Sequence, residues 1–527
     1  MFPAAQPILT CAGAHALERR RFAGDAAGEW LAMQQAGAAV GGAVLADMME
    51  IGGFPAAGRL LVVAGKGHNG GDALIAAAEI LRRETTASAD VLLVYGVQAL
   101  RPLALRAWQE LQQEFPTRVR AVTLRSLAAG YAIVLDGLFG YRYRPPLDER
   151  AKTVLRRVNA LPVRLRAAVD LPSGWEAPDA FQADFTYATG IVKSPLLGLA
   201  NAGRLRYLDL GFFAPGDRSD MLVLTDQALD PLRGWRDPAA DKRQHGHVFV
   251  LGGSRDYPGA VLMTVLAALR SGAGLVTAFV PETLVPAFAA RAPEGIWVGW
   301  PETPAGGLAL EGRHLLIERM DRADAFVMGP GLGRDRESLA LVRDLVTAVS
   351  SPVLLDADAL QPEIVRSARS ALVLTPHAGE FARIAGRLDV GKFARKTGAT
   401  VVLKGPITRI AHDRRQFHSF FGGPVLARGG SGDLLAGVIG AQLASTPADP
   451  LAAACRGVVW HGRAADALAR KHGAVAVRTT QVLDFLGPVL KDWGHERRDE
   501  RTAGLPGAER ASEHWPHHAE SHSEGMG

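Results

Sequence analysis

Along almost its whole length the chain repeats one pattern: an apolar run, a glycine-rich or aspartate-bearing turn, then an alanine- and leucine-rich helical stretch. That rhythm is what βα units write into a sequence, and it commits the chain to parallel sheet with helices on both faces. In the first part the runs predicted as strands are Leu60 to Ala64, Val91 to Tyr95, Ile133 to Leu135, Arg166 to Val169 and Phe185 to Ala188. Helical stretches such as Ala73 to Arg83 and Leu103 to Gln113 lie between them. The rhythm breaks from Gly211 to Gln244, where prolines and scattered charges surround one short apolar run. It then resumes with His247 to Leu251, Leu275 to Val280, Ala325 to Met328, Val353 to Leu355, Ala371 to Leu374 and Thr400 to Leu403. A first domain over 1–215, a linker over 216–240 and a second α/β domain over 241–493 follow from this. Residues 494–527 are polar and hold five of the fifteen histidines, as expected of a solvated, disordered tail.

Several function classes are excluded before any motif is read. Lys and Arg number 59 against 54 Asp and Glu, and the charges are scattered, so no nucleic-acid surface is expected. The best uncharged apolar run, Gly259 to Leu269, is too short to span a bilayer. No basic segment precedes an apolar stretch at the start, and Cys11 and Cys455 alone make no disulfide framework, so a cytoplasmic location is expected. Only nine residues are lysine, which lends weight to a lysine retained in a glycine turn.

In the second domain five polar turns each follow the carboxyl end of a predicted strand. They are Gly252-Gly253-Ser254, Gly329 to Gly333, Asp356-Ala357-Asp358, Thr375 to Glu380 and Lys404 to Thr408. Open α/β sheets build their ligand crevice on that edge. Each turn taken singly is explained by backbone needs; five on one edge are not. The sharpest motif is Gly429-Gly430-Ser431-Gly432-Asp433 ahead of the apolar helical run Leu434 to Leu443. Its glycines and helix start suit an anion. Asp433 is either a helix cap or a base that accepts a proton from a substrate hydroxyl attacking a phosphoryl group. Nothing matches a Walker loop.

These turns, with Tyr257-Pro258-Gly259-Ala260, resemble the ADP/ATP-dependent NAD(P)H-hydrate dehydratases, which have the ribokinase-like fold. The resemblance runs from Asp241 to about Asp492 with the motifs in the family's order. It implies that Ala260, Gly333 and His377 contact the hydrated nicotinamide nucleotide, with Asp433 as the catalytic carboxylate. It implies also that Lys404, Gly405, Pro406, Ile407, Thr408 and Gly432 hold ADP or ATP, the phosphoryl donor, accompanied by Mg2+. The chemistry is coherent. The hydrate carries a hydroxyl beside the ring nitrogen, hydroxide leaves poorly, and phosphorylation converts it to a group that the nitrogen lone pair can expel.

The first domain carries Gly65-Lys66-Gly67-His68-Asn69-Gly70-Gly71-Asp72 between a predicted strand and helix. The Gly-x-Gly-x-x-Gly match is weak alone, and the next strand ends in Gly96-Val97-Gln98 without the acid a nicotinamide site wants, which disfavours an oxidoreductase. Together with Asp136 to Gly140 and Asp170 to Gly174 it resembles the NAD(P)H-hydrate epimerases, a Rossmann-like three-layer fold. By that resemblance Asn69, Asp136 and Ser173 hold K+, while His68, Asn69, Gly70, Gly71, Asp72 and Gly140 line the substrate site. Asp170 is implied as the catalytic residue at the reacting ring, and Lys193 stands where that family has a lysine. Three positions depart from the pattern. His68 replaces an asparagine, Ala73 replaces a glycine, and Gly140-Tyr141-Arg142-Tyr143 replaces the small residues of a phosphate-facing loop. Arg142 and Arg144 offer charge in place of those N–H groups.

The expectation is therefore a bifunctional enzyme that repairs hydrated NAD(P)H, dehydrating one epimer and interconverting the two. Its small-molecule partners are the hydrate and an adenine nucleotide, with no membrane, and self-association is left open. The alternative is a small-alcohol kinase of the ribokinase fold, for a vitamin precursor, with a non-catalytic nucleotide-binding module ahead of it.

Overall fold

The computed structural model describes residues 4–491; the histidine-rich tail lies outside the described residues. In the first half, strands β1 (Ala5–Leu9), β2 (Arg59–Ala64), β3 (Ser88–Leu93), β4 (Val119–Ala121), β5 (Ile133–Gly137), β6 (Leu165–Val169), β7 (Phe185–Thr189), β8 (Val192–Lys193) and β9 (Arg204–Leu208) occur with five helices. The helices are α1 (Cys11–Phe22), α2 (Ala26–Met48), α3 (His68–Arg83), α4 (Pro102–Glu114) and α5 (Glu149–Asn159). Seven of these strands form a parallel sheet in the order β4-β3-β2-β5-β6-β7-β9. The winding reverses between β2 and β5, and the crevice at their carboxyl ends is where doubly wound sheets place ligands.

The second half repeats the plan. Its strands are β10 (Met221–Leu224), β11 (His247–Leu251), β12 (Leu275–Pro281), β13 (Ile296–Trp300), β14 (Ala325–Met328), β15 (Val353–Leu355), β16 (Leu372–Leu374), β17 (Thr400–Leu403), β18 (Thr408–His412) and β19 (Arg415–Ser419). Its helices are α6 (Pro258–Arg270), α7 (Val285–Arg291), α8 (Arg313–Ile317), α9 (Arg336–Ala348), α10 (Pro362–Ser367), α11 (Ala378–Ala385), α12 (Val390–Thr397), α13 (Ser431–Ser445), α14 (Pro450–His472) and α15 (Leu486–Lys491). The order β13-β12-β11-β14-β15-β16-β17 is parallel and reverses between β11 and β14. Its strands other than the edge strand β13 are buried on both faces, which is why they read as unbroken apolar runs. Among the described residues no helix is long and apolar enough to cross a membrane.

Two features join the halves. The stretch read from sequence as a linker contains β10, which pairs in parallel with β19. The first strand of the chain, β1, lies antiparallel to β10 and parallel to β8, so the larger sheet has twelve strands and takes its last two from the first half. The second join is ionic. Arg206 of β9 donates to Asp47 at the end of α2 (2.8 Å) and to Asp466 of α14 (3.1 Å). Arg204 reaches Glu50 (2.6 Å) and Asp466 (3.1 Å), and Arg470 reaches Asp47 (3.1 Å). Three guanidinium groups thus face three carboxylates, with Asp47 and Asp466 almost fully buried. Burial opposes the ionised form of Asp47, but Arg206 and Arg470 hold its carboxyl below the usual range.

Candidate functional sites

The site of the second half is built on the carboxyl ends of β15, β16 and β17 and the start of α13. Gly430 takes a left-handed φ of 88° immediately before α13, a conformation that favours glycine, and Asp433 then falls in the helix's first turn. Lys404, which follows β17, donates to Asp356 (2.9 Å) after β15, lies 3.9 Å from Glu380 of α11, and would stand 3.1 Å from a Cβ placed at Gly432. Thr375 after β16 donates to the same Asp356 oxygen (2.8 Å). Burial and the charges of Asp356 and Glu380 push the Asp433 carboxyl up to about 6, although Lys404 works against them. Burial disfavours the Lys404 ammonium, yet Asp356 and Glu380 hold it above its ordinary value. A half-buried carboxylate poised near neutrality beside one ammonium is an arrangement suited to taking a proton.

Other expected residues gather around it. The first turn of α6, carrying Ala260, packs on α13, and Thr264 donates to the Asp433 carbonyl (3.1 Å). Gly331 approaches Ala260 so closely that a Cβ on Gly331 would stand 3.1 Å from the alanine methyl, and Ser254 ties the same turn by donating to the Gly331 carbonyl (2.8 Å). Gly333 follows with a φ of 77°. Gly329 has no room for any side chain, since its Cβ would fall 2.0 Å from the Asp356 carbonyl. His377 caps α11, its Nδ1 accepting from Gly379 and Glu380, with the ring largely exposed. Gly405 and Pro406 form an exposed turn, while Ile407 packs toward Ile8 and Val192 where the halves meet. Sequence reasoning gave no individual role to Asp356, Glu380 or Thr375, which entered only as members of the turns that carry the family resemblance. It also passed over His461 of α14, buried behind Lys404, whose Nε2 has no hydrogen-bond partner and whose burial pushes it down to about 4.

In the first half a cleft of about 900 Å³ opens at the carboxyl ends of β2 and β5. Lys66, His68, Asn69, Asp72, Gly140, Tyr141, Asp170 and Lys193 line it. Gly65 begins the turn, with its Cβ position only 1.9 Å from the Leu138 carbonyl, so no larger residue fits. Asn69, Asp136 and Ser173 converge. Asp136 accepts from the Ser173 hydroxyl (2.6 Å), the Ser173 amide (2.7 Å) and the Leu138 amide (3.2 Å). The Asn69 amide nitrogen donates to the Phe139 carbonyl (2.9 Å), which leaves its side-chain oxygen for another partner. Asp136 is fully buried with no cationic side chain against it among the described residues, and burial raises its carboxyl to about 6. A buried carboxylate among oxygen donors fits an alkali cation.

Asp170 sits at the end of β6 with a φ of 67°, strained for a non-glycine residue, and pairs directly with the buried Lys193. Burial raises its carboxyl, partly offset by Lys193. Asp72 faces the same cleft and is pushed well up by burial and by the charges of Asp170 and Glu18. The divergent loop does not fill the cleft. The Tyr141 hydroxyl donates to Glu18 of α1, Arg142 donates to the same carboxylate (2.9 Å), and the Tyr141 ring lies over the Lys193 ammonium, 5.1 Å from centroid to nitrogen.

Two α/β halves, each gathering buried carboxylates and a lysine at the carboxyl ends of parallel strands, around β2, β5 and β6 in the first and around β15 to β17 in the second, define a two-site α/β enzyme. Residues 248–487 match the family model described as NAD(P)H-hydrate dehydratase, and residues 31–194 match that described as YjeF-related protein N-terminus. A protein of Moorella thermoacetica is 34% identical over 482 residues, covering 85% of this chain and 90% of that one. One of Gloeobacter violaceus is 35% identical over 515 residues, covering 92% and 97%. Both are named bifunctional NAD(P)H-hydrate repair enzyme Nnr. Among solved structures, the ADP/ATP-dependent NAD(P)H-hydrate dehydratase of Bacillus subtilis, co-crystallised with ATP/Mg2+, is 30% identical, with 49% of this chain and 93% of that chain covered and a TM-score of 0.43. The chain belongs to the bifunctional NAD(P)H-hydrate repair enzyme family. The small-alcohol kinase alternative is not favoured by these relatives.

Proposed function

We propose that the second half dehydrates one epimer of hydrated NADH or NADPH at the expense of ADP or ATP, and that the first half interconverts the two epimers. The observation that carries the first assignment is Asp433, held near neutrality at a glycine turn beside Lys404 and Asp356. In this reading Asp433 accepts the proton of the substrate hydroxyl as its oxygen attacks the terminal phosphoryl group, a contribution of roughly 10²–10⁴-fold. Lys404 balances the negative charge that gathers there, and the Gly432 turn presents backbone N–H groups to the phosphates. Ala260, Gly333 and His377 border the hydrate, and Lys404 to Thr408 with Gly432 border the nucleotide, whose phosphates bring Mg2+ with them.

In the first half Asp170 and Lys193 handle protons at the hydroxylated carbon, and His68, Asn69, Asp72 and Gly140 form the wall around the ring and phosphates, while Gly70 and Gly71, expected there too, are buried against Gly65 and Met33. Asn69, Asp136 and Ser173 would hold potassium, which supplies a fixed positive charge under the phosphate-facing turn. Two cysteines without a disulfide fit a reducing, cytoplasmic setting. The test is to incubate separated hydrate epimers with ADP and with ATP, following the absorbance of the restored dihydropyridine and the release of phosphate. Nucleotide-dependent return of NAD(P)H from one epimer, and from the other only after interconversion, is expected. A stable phosphorylated alcohol with no dihydropyridine would overturn the reading.

A further inference from the structure

Inverting a hydroxyl-bearing carbon by loss and re-addition of water sets a chemical requirement. The C–O bond breaks as the hydroxyl takes a proton and leaves as water, while the ring nitrogen lone pair moves into a C=N bond. Water then adds to the other face, a new C–O bond forms as the C=N electrons return to nitrogen, and the water gives up a proton. Atoms and electrons balance with no oxidant, but one group must donate a proton and another, on the other face, must accept one. Lys193 and Asp170, in direct contact, are one such group. A second has to face the same cleft.

Tyr141 meets this requirement. It lines the cleft, its ring rests on the Lys193 ammonium, and its hydroxyl donates to the Glu18 carboxylate. Arg142 braces the arrangement through Glu18 (2.9 Å) and through the phenol oxygen (3.2 Å). Burial and the neighbouring Glu18 hold the phenol far above its ordinary pKa, so it would relay a proton rather than keep a negative charge. Glu18 belongs to α1, ahead of the 31–194 segment that the family model matches, and the loop bearing Tyr141 is where this chain departs from the epimerase pattern. We propose that Tyr141 and Glu18 are the second proton-handling pair of the first-half cleft. The phenol oxygen takes the proton of the adding water as its own proton passes to Glu18, and these transfers run backwards for the opposite epimer. The inference rests on the epimerase reading of this half.

The full-length chain tests it with purified hydrate epimers at neutral pH. Tyr141→Phe keeps the ring on Lys193 and removes only the relay, and Glu18→Gln removes the acceptor. Each is expected to slow epimerisation by about 10²-fold or more, with the double variant no slower than the worse single one. Affinity for NADP+, measured by calorimetry, and dehydration by the second half should be unchanged, which also reports that the chain is folded. A Tyr141→Phe protein that epimerises at the wild-type rate would overturn the proposal and pass the role to Asp72. Loss of NADP+ binding in step with loss of rate would overturn it too, in favour of a purely positioning Tyr141. If the wild type itself does not epimerise, the reading of the whole first half fails, and this inference with it.

Discussion

Asp433→Asn is the sharpest perturbation because asparagine keeps the size and the place in the first turn of α13 but cannot take a proton. Loss of the base should lower nucleotide-dependent dehydration by about 10²-fold or more, with nucleotide affinity nearly intact. The structure adds a pH dependence. With its carboxyl raised to about 6 by burial and by Asp356 and Glu380, Asp433 is about nine-tenths ionised at pH 7 and about one-tenth ionised at pH 5. kcat/KM for the hydrate should therefore fall close to tenfold across that interval, and the residual rate of Asp433→Asn should lack this acid limb. Lys404 lowers the Asp433 pKa from its place between Asp356 and Glu380, so Lys404→Gln must move the limb toward higher pH. The assay is dihydropyridine absorbance against pH for wild type and both variants, on the hydrate epimer that the enzyme accepts. Wild-type turnover in Asp433→Asn, or a limb that stays in place in Lys404→Gln, would refute the base assignment.

The remaining expectations concern the first half and the join. Asp170→Asn should stop interconversion of the hydrate epimers while leaving dehydration of the competent epimer unchanged, because Asp170 follows β6 of the seven-stranded sheet and Asp433 opens α13 of the second half; parallel loss of both activities in the two assays would count against independent sites. Replacing potassium by a bulkier monovalent cation should depress epimerisation alone, and Asp136→Ala should abolish that sensitivity along with the rate; an epimerase indifferent to the cation would remove Asn69, Asp136 and Ser173 from that role. Asp466→Ala leaves Arg206 and Arg204 short of a buried carboxylate and should destabilise the chain by roughly 3–5 kcal/mol in urea unfolding, a loss that Asp466→Leu should not repair.

The strands flanked by helices on both faces were legible because burial on both sides demands an unbroken apolar run. Six of them in the second half stand within a residue or so of their expected bounds. Strands β9, β18 and β19 were not legible, since Arg204, Arg206, Arg409 and Arg415 leave no unbroken apolar run. For Arg204 and Arg206 the partners that make burial tolerable lie on α2 and α14, far away in sequence. The same holds at the sites. The glycine turn and helix start around Asp433 could be read locally, whereas Asp136 and Asp170 were named through the resemblance to the epimerases. The clustering of Asp356, Glu380 and Lys404 depends on which strands are neighbours, which no local window contains. The Tyr141 loop could be recognised as unusual, but Glu18, which gives that tyrosine its partner, sits on a helix that sequence reasoning left unassigned.

The stitching of β1 between β10 and β8 bears on how such a protein could be made and divided. Ala5 faces Leu224, and β10 in turn faces β19, so β1 leaves the ribosome long before these partners are synthesised. Until then its hydrogen-bonding edge is open, and non-local pairing of this kind is slow to form. A chain severed between the halves would strip β19 of its neighbour if the cut fell after β10, or strip β10 of β1 if it fell before. Either fragment would carry a bare sheet edge, the usual template for association between chains. The two catalytic halves are thus separable in their chemistry but not in their assembly.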